Sequence, residues 1–162
     1  KLVYCFMNQI VGMKKKALLV ITTFGILFSL KSQSNLKFDH QAMPVNNLKI
    51  SGDIYRDILG FKDIPTSVGT KYTHRWLANF EGKEIHLIFS DKKIQKTPKQ
   101  LHMAFSPVNF DDFIDHLKKN NVVFTNYNLE VGAIQLRKDG IKQVWLRDPQ
   151  GYWIEINSTN QN

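Results

Sequence analysis

An internal repeat constrains this chain more than any other feature of its sequence. Trp76-Leu77, Gly82, Ile85, His86 and Leu87 recur as Trp145-Leu146, Gly151, Ile154, Glu155 and Ile156 at a constant offset of 69 residues. A second correspondence, at an offset of 62, matches His40-Gln41-Ala42 with His102-Met103-Ala104. Repeats of this length encode supersecondary units that cannot bury an apolar face alone and so share a core with a neighbour. The chain therefore reads as two similar modules, residues 36–90 and 100–158, joined by a lysine-rich linker over 91–99 that contains Pro98.

Both modules follow one order: strand, helix, then two or three strands, an α+β pattern. In module one, residues 36–43 form a strand with Phe38, His40 and Ala42 on one face. Asn46 or Asn47 caps a helix whose stripe is Ile50, Ile54 and Ile58, with Gly60 as its stop. A polar connection over 62–70 leads to strands at 71–79 and 83–90, in which Ile85, Leu87 and Phe89 face the helix and Glu84, His86 and Ile88 face away. In module two, residues 100–106 carry His102 and Ala104 on one face, and Asn109 caps a helix with Phe113, Ile114 and Leu117 as its stripe. Strands over 122–127 and 131–138 precede a hairpin at Asp148-Pro149-Gln150-Gly151, a type I turn by its Asp, Pro and Gly positions. Beyond that turn Ile154 and Ile156 share one face, and Trp153 and Glu155 the other.

Composition removes several function classes. Of 162 residues, 43% are hydrophobic, enough for one compact domain or two small modules on one core. Met13-Lys14-Lys15-Lys16, an apolar run over 17–30 and the small polar residues Ser32-Gln33-Ser34 have the order of a secretory signal peptide. Cleavage is expected after Ser34, with residues 1–12 ahead of the better start at Met13 and untranslated. The expectation is an exported protein, periplasmic or secreted, with no stable membrane insertion after cleavage. Without residues 1–34 the chain keeps 17 basic against 14 acidic residues, a surplus of three that does not suit a nucleic-acid partner. The one cysteine, Cys5, lies in the same segment, so the mature domain has no disulfide and no thiolate nucleophile or ligand. Phosphate-loop, dinucleotide and nucleophilic-triad signatures are absent from the sequence.

Four residues at repeat-equivalent places carry the candidate chemistry. His40, His86, His102 and Glu155 each fall on a strand face turned away from a helix. Three imidazoles and one carboxylate suit a single borderline divalent ion, Zn²⁺ or Ni²⁺ first, with Fe²⁺, Mn²⁺ or Co²⁺ also compatible. Trp76, Trp145 and Trp153 lie on the same faces and would line a pocket for a small-molecule substrate. His74 reads as a packed or rim residue, and His116 as part of a solvated helix face. Arg75, Arg137 and Lys142 are candidates for an anionic substrate end or for exposed strand positions.

From about Lys37 to Asn157 the chain resembles the vicinal oxygen chelate superfamily of glyoxalases, bleomycin-resistance proteins and extradiol dioxygenases. The resemblance is carried by Phe38-Asp39-His40, Tyr55-Arg56-Asp57-Ile58-Leu59-Gly60-Phe61, Leu101-His102-Met103-Ala104-Phe105, and the run from Arg147 to Glu155. It implies paired βαβββ modules building a half-open, cup-shaped mixed sheet around a divalent metal, with His40, His86, His102 and Glu155 on the four ligand strands. The nearest likeness is to lactoylglutathione lyase, glyoxalase I. That implies Lewis-acid isomerisation or lyase chemistry on a substrate chelating through two adjacent oxygens, with Glu155 as both ligand and base. Two departures stand out: His86 occupies a position where that enzyme usually has Glu or Gln, and the leader implies export, away from glutathione. A Fe²⁺ extradiol dioxygenase using His40, His102 and Glu155, and a bleomycin-resistance type binding protein lined by the three tryptophans, are the alternatives. The family also implies a homodimer.

Overall fold

Alternation along the first strand decides which side of module one becomes core. In β1 (His40–Val45), Met43 and Val45 are buried while His40, Ala42 and Pro44 are exposed. The computed structural model describes residues 36–161, so the expected leader over 1–34 lies outside the described residues. Asn47 caps helix α1 (Leu48–Asp53) by accepting from the Ile50 amide at 2.9 Å. The helix then widens into a π-type turn over Ile54–Ile58, closed by a bond from the Leu59 amide to the Ile54 carbonyl. That turn rotates the buried stripe. Ser51 and Tyr55 face the core and Ile50 is exposed, which corrects the expected Ile50, Ile54, Ile58 stripe.

The strands β2 (Lys62–Ile64), β3 (His74–Ala78) and β4 (Glu84–Phe89) complete module one in the order β1-β4-β3-β2, with β1 parallel to β4 and the rest antiparallel. Strand β2 occupies the start of what the sequence reads as a connection. Module two repeats the plan. Strands β5 (His102–Phe105), β6 (Gln135–Leu136), β7 (Lys142–Arg147) and β8 (Trp153–Asn157) are ordered β5-β8-β7-β6, with β5 parallel to β8. Helix α2 (Phe110–Lys119), capped by Asn109, buries Phe110, Ile114 and Leu117. Of the strands expected over 122–127 and 131–138, the structure keeps only the bridges of Thr125 to Val131 and Trp145, and the short β6. Two open, four-stranded mixed sheets with helices against one face are the α+β architecture that the repeat implies.

One core serves both modules: Met43, Val45, Tyr55, Leu77, Ile85 and Leu87 join Phe110, Ile114, Val144, Leu146, Ile154 and Ile156 in one cluster. The type I turn forms as its chemistry requires. Gly151 donates to the Asp148 carbonyl at 2.9 Å and adopts a φ of +94°. The buried Asp148 carboxylate takes the amides of Gln150 and Tyr152 on one oxygen, both at 2.9 Å, and the Tyr55 hydroxyl on the other at 3.1 Å. Burial holds the Asp148 carboxyl above its ordinary pKa, and burial followed by the Asp148 charge pushes the Tyr55 phenol up. His116 departs from the solvated helix face expected for it: half-buried, it meets the Ile58 carbonyl at 3.2 Å and links α2 to module one. In module one Asp53 is held down to about 2 by Lys49 first and Arg75 second.

Tyr55→Phe keeps the ring and removes one donor from a buried carboxylate. It should lower stability by about 1–3 kcal/mol, the typical cost of a buried group deprived of its partner. Because burial already raises the Asp148 pKa, this loss belongs to the ionised form and grows as pH rises from roughly 4 to 7. Urea unfolding at both pH values checks it; equal losses at the two would reject Asp148 as the partner that matters.

Candidate functional site

Pleat and register put the candidate residues on the faces away from the core. Across β3 and β4, Trp76 lies opposite His86, and across β7 and β8, Trp145 lies opposite Glu155. The repeat is thus a repeat of register as well as sequence. β1 and β5 deliver His40 and His102 to the same faces.

The two sheets use these positions differently. On module one, Trp76, His86 and His40 form a stack, with centroids 3.8 Å apart at 2° between Trp76 and His86, and 4.0 Å apart at 13° between His86 and His40. His86 is 8% exposed, and its Nε2 meets Glu84 Oε2 at 2.7 Å. His40 Nδ1 meets Asp39 Oδ2 at 2.6 Å. On module two, Glu155 is 7% exposed in β8, one of the two inner strands of its sheet. Its Oε1 accepts from Asn157 Nδ2 at 2.8 Å, and its Oε2 lies 3.6 Å from His102 Nε2. Oriented polar partners are what let a buried carboxylate persist.

The structure therefore gathers the four predicted ligands as two pairs, His40 with His86 and His102 with Glu155. Among the described residues, no group of three or more His, Cys, Asp or Glu side chains is arranged to hold one ion. The donor types suit a divalent metal, but within one chain their placement does not make a single coordination set.

Aromatic rings wall the His102–Glu155 pair. Trp145 stands edge-on to His102 at 4.6 Å, and Trp145 and Trp153 are nearly perpendicular at 6.4 Å. Lys99 Nζ sits among Tyr127, Trp145 and Trp153, 4.7–4.9 Å from each centroid, and donates to the carbonyls of Asn126 and Tyr127. Burial, then the Arg147 charge, lowers the Lys99 pKa. Lys99 is absent from the sequence reading because it falls in the linker; its spacing three residues before His102 was the available signal. His74 remains a rim residue, half-buried with Nδ1 2.9 Å from Thr73 Oγ1. A cleft lined by Gln41, Pro44, Thr97, Leu101, His102 and Trp153 opens between β1 and β5.

Residues 37–156 match the family described as the Glyoxalase/Bleomycin resistance protein/Dioxygenase superfamily. No curated protein matches. Among solved structures, a glyoxalase family protein from Bacillus anthracis is 21% identical, with 76% of this chain and 94% of that one aligned at a TM-score of 0.61. A glyoxalase/dioxygenase from Nostoc punctiforme is 20% identical, covering 80% and 94% at a TM-score of 0.58. The fosfomycin resistance protein FosX from Listeria monocytogenes is 15% identical, covering 76% and 93% at 0.58. At these identities the likeness is one of fold.

The Glu155 environment generates a stability test. Asn157→Leu removes the donor to Oε1 and should destabilise the protein by about 1–3 kcal/mol. Adding Glu155→Leu should then recover the part of that loss owed to the unpartnered carboxylate, while the part from Ser106 Oγ and the Thr159 amide, which also lose Asn157 Oδ1 as acceptor, remains. A double variant that loses the sum of the two single losses in urea unfolding would contradict this account.

Proposed function

Because the chain belongs to the glyoxalase, bleomycin resistance protein and dioxygenase superfamily, we propose that it binds a small oxygen-bearing molecule on the polar face of module two and moves a proton on it with Glu155. The carrying observation is the His102–Glu155 pair inside its tryptophan wall. Asn157 fixes one carboxylate oxygen, so the other is the one that takes a proton from carbon and returns it to a neighbouring atom. His102 orients that oxygen, and the indoles limit water around it.

Members of this superfamily commonly bind divalent metals, and the described residues of one chain offer two half-sets of donors. We propose a homodimer in which His40 and His86 of one copy meet His102 and Glu155 of the other, an isologous arrangement that yields two equivalent sites. Zn²⁺ or Ni²⁺ suits that set, and when bound it would polarise two adjacent substrate oxygens, the chemistry of a glyoxalase I-like isomerase. A second reading follows from His86, which is stacked between Trp76 and His40 and engaged by Glu84. With His86 so occupied, His40, His102 and Glu155 would form the two-histidine, one-carboxylate set of a Fe²⁺ oxygenase.

Loading apoprotein separately with Zn²⁺, Ni²⁺ and Fe²⁺, then assaying hemithioacetal isomerisation beside oxygen uptake with catechols, decides between them. Isomerisation with Zn²⁺ or Ni²⁺ that Glu155→Gln abolishes is the expected result; iron-only oxygen uptake surviving His86→Ala selects the oxygenase. Metal content by elemental analysis should fall on alanine substitution of any of the four residues. Mixing His86→Ala with Glu155→Gln subunits should restore about a quarter of wild-type activity, since half the dimers then carry one intact site. No recovery in confirmed mixed dimers would reject the shared site.

We propose export as well, on the basic, apolar and small-polar order of residues 13–34. Protein recovered from a bacterial periplasm should begin near Asn35 by N-terminal sequencing. Soluble cytosolic protein that retains the leader would reject export and restore glutathione conjugates as candidate substrates.

A further inference from the structure

The cations singled out in the sequence end in carboxylates: Arg75 meets Asp53 and Asp63, Arg137 meets Asp139, and Lys142 meets Asp111. Lys99 ends elsewhere. Its ammonium donates to two backbone carbonyls, Asn126 at 3.0 Å and Tyr127 at 2.9 Å, and stands over the faces of Tyr127, Trp145 and Trp153. Gln100 adds a second tie, its side-chain amide donating to the Tyr127 hydroxyl at 3.3 Å. Lys92, Lys93 and Lys96, earlier in the same linker, are exposed. The linker is therefore pinned at its end, where it enters β5.

What the pin holds is the backbone beside His102. The Leu101 amide donates to the Pro98 carbonyl at 3.0 Å, closing a turn that contains Lys99. The Lys99 carbonyl lies 2.9 Å from His102 Nδ1. A carbonyl can only accept, so Nδ1 carries the proton and a neutral His102 keeps its lone pair on Nε2. Nε2 is the nitrogen turned to Glu155, 3.6 Å from Oε2 and beyond direct hydrogen-bond length. In that form Nε2 can accept from a substrate hydroxyl or bind a metal ion beside Oε2. The other tautomer would turn an N–H on the carboxylate and block both.

We infer that Lys99 is a positioning residue for His102: its ammonium pins the linker under the rings of module two, and its carbonyl, so placed, keeps the imidazole proton on Nδ1. The tie between a side chain's anchoring and a neighbour's tautomer is the kind of outer contact that sets which nitrogen of a histidine is free to bind. The inference rests on the reading that the polar face of module two is the reactive site, and it adds the residue that prepares His102 for that site.

Metal-free protein labelled with ¹⁵N-histidine, held about two pH units above the ordinary imidazole pKa, tests it by long-range ¹H–¹⁵N correlation, which separates the two neutral tautomers. The His102 signals are identified by their loss in His102→Gln. A single Nδ1–H form is expected in the unsubstituted protein. Lys99→Met should convert it to a mixture of both tautomers, while Lys99→Arg, which keeps a cation with N–H donors, should retain the Nδ1–H form. An Nε2–H form in the unsubstituted protein, or an Nδ1–H form unchanged in Lys99→Met, overturns the inference. If Lys99→Met fails to fold by circular dichroism, Lys99→Gln, whose shorter uncharged amide cannot answer both carbonyls, takes its place with the same two outcomes. Because the readout is a proton's position in protein without metal or substrate, its failure removes Lys99 from the site and leaves the proposed reaction standing. A fixed tautomer that Lys99→Met releases, in protein that turns over no substrate, supports the inference and sinks the reaction.

Discussion

The Asp148 carboxylate is the joint on which the arrangement depends. One of its oxygens holds the tight turn between β7 and β8, and the other reaches the Tyr55 hydroxyl of module one. The turn fixes hairpin register, and the register puts Trp145 opposite Glu155 and Arg147 opposite Trp153. A one-residue slip would turn every side chain of β8 to the opposite face of the sheet, sending Glu155 toward the core and Ile154 and Ile156 away from it. The same carboxylate therefore positions the candidate site and locks the modules together. Tyr152 and Gln150, from the same turn, reinforce the joint by reaching the Pro44 carbonyl and the Asn46 amide.

Much of this was legible because the repeat and the period-two pattern carry it. The equivalence of Trp76 with Trp145 and of His86 with Glu155 is reproduced as strand register. The turn at Asp148 is written in residues that have few other uses. What escaped was structure without periodicity. Strand β2 is only three residues long, Lys62-Asp63-Ile64, and its pairing with β3 comes from tertiary context. The π-type turn at Ile54–Ile58 shifts the helical phase in mid-element, so a stripe counted at a fixed period names Ile50 where Tyr55 is buried. Lys99 sits in a stretch whose composition says only linker, and its enclosure depends on rings from β7, β8 and the segment before β6.

The separation of the ligands into pairs has a similar origin. Sequence equivalence places residues on corresponding strands, but it does not say whether corresponding strands of the two modules face each other within one chain. Here each sheet treats its pair in its own way: module one stacks His86 between two rings, and module two sets His102 beside a carboxylate anchored by Asn157. Duplicated scaffolds can diverge in this manner because the core faces, not the polar faces, hold the fold together.

The outermost strands carry one more consequence. A protein made of two self-similar open sheets presents free edges that match one another, and such molecules are prone to add end to end without limit. Of the edge strands, β1 and β5 are six and four residues long and flank the cleft between the modules, while the opposite edges β2 and β6 are only three and two residues long, and β2 opens with Lys62 and Asp63. Edges this short offer an incoming chain few backbone hydrogen bonds and little register. The brevity that hid β2 from the sequence, and that reduces the strand expected over 131–138 to β6, thus works as a terminator at these two edges.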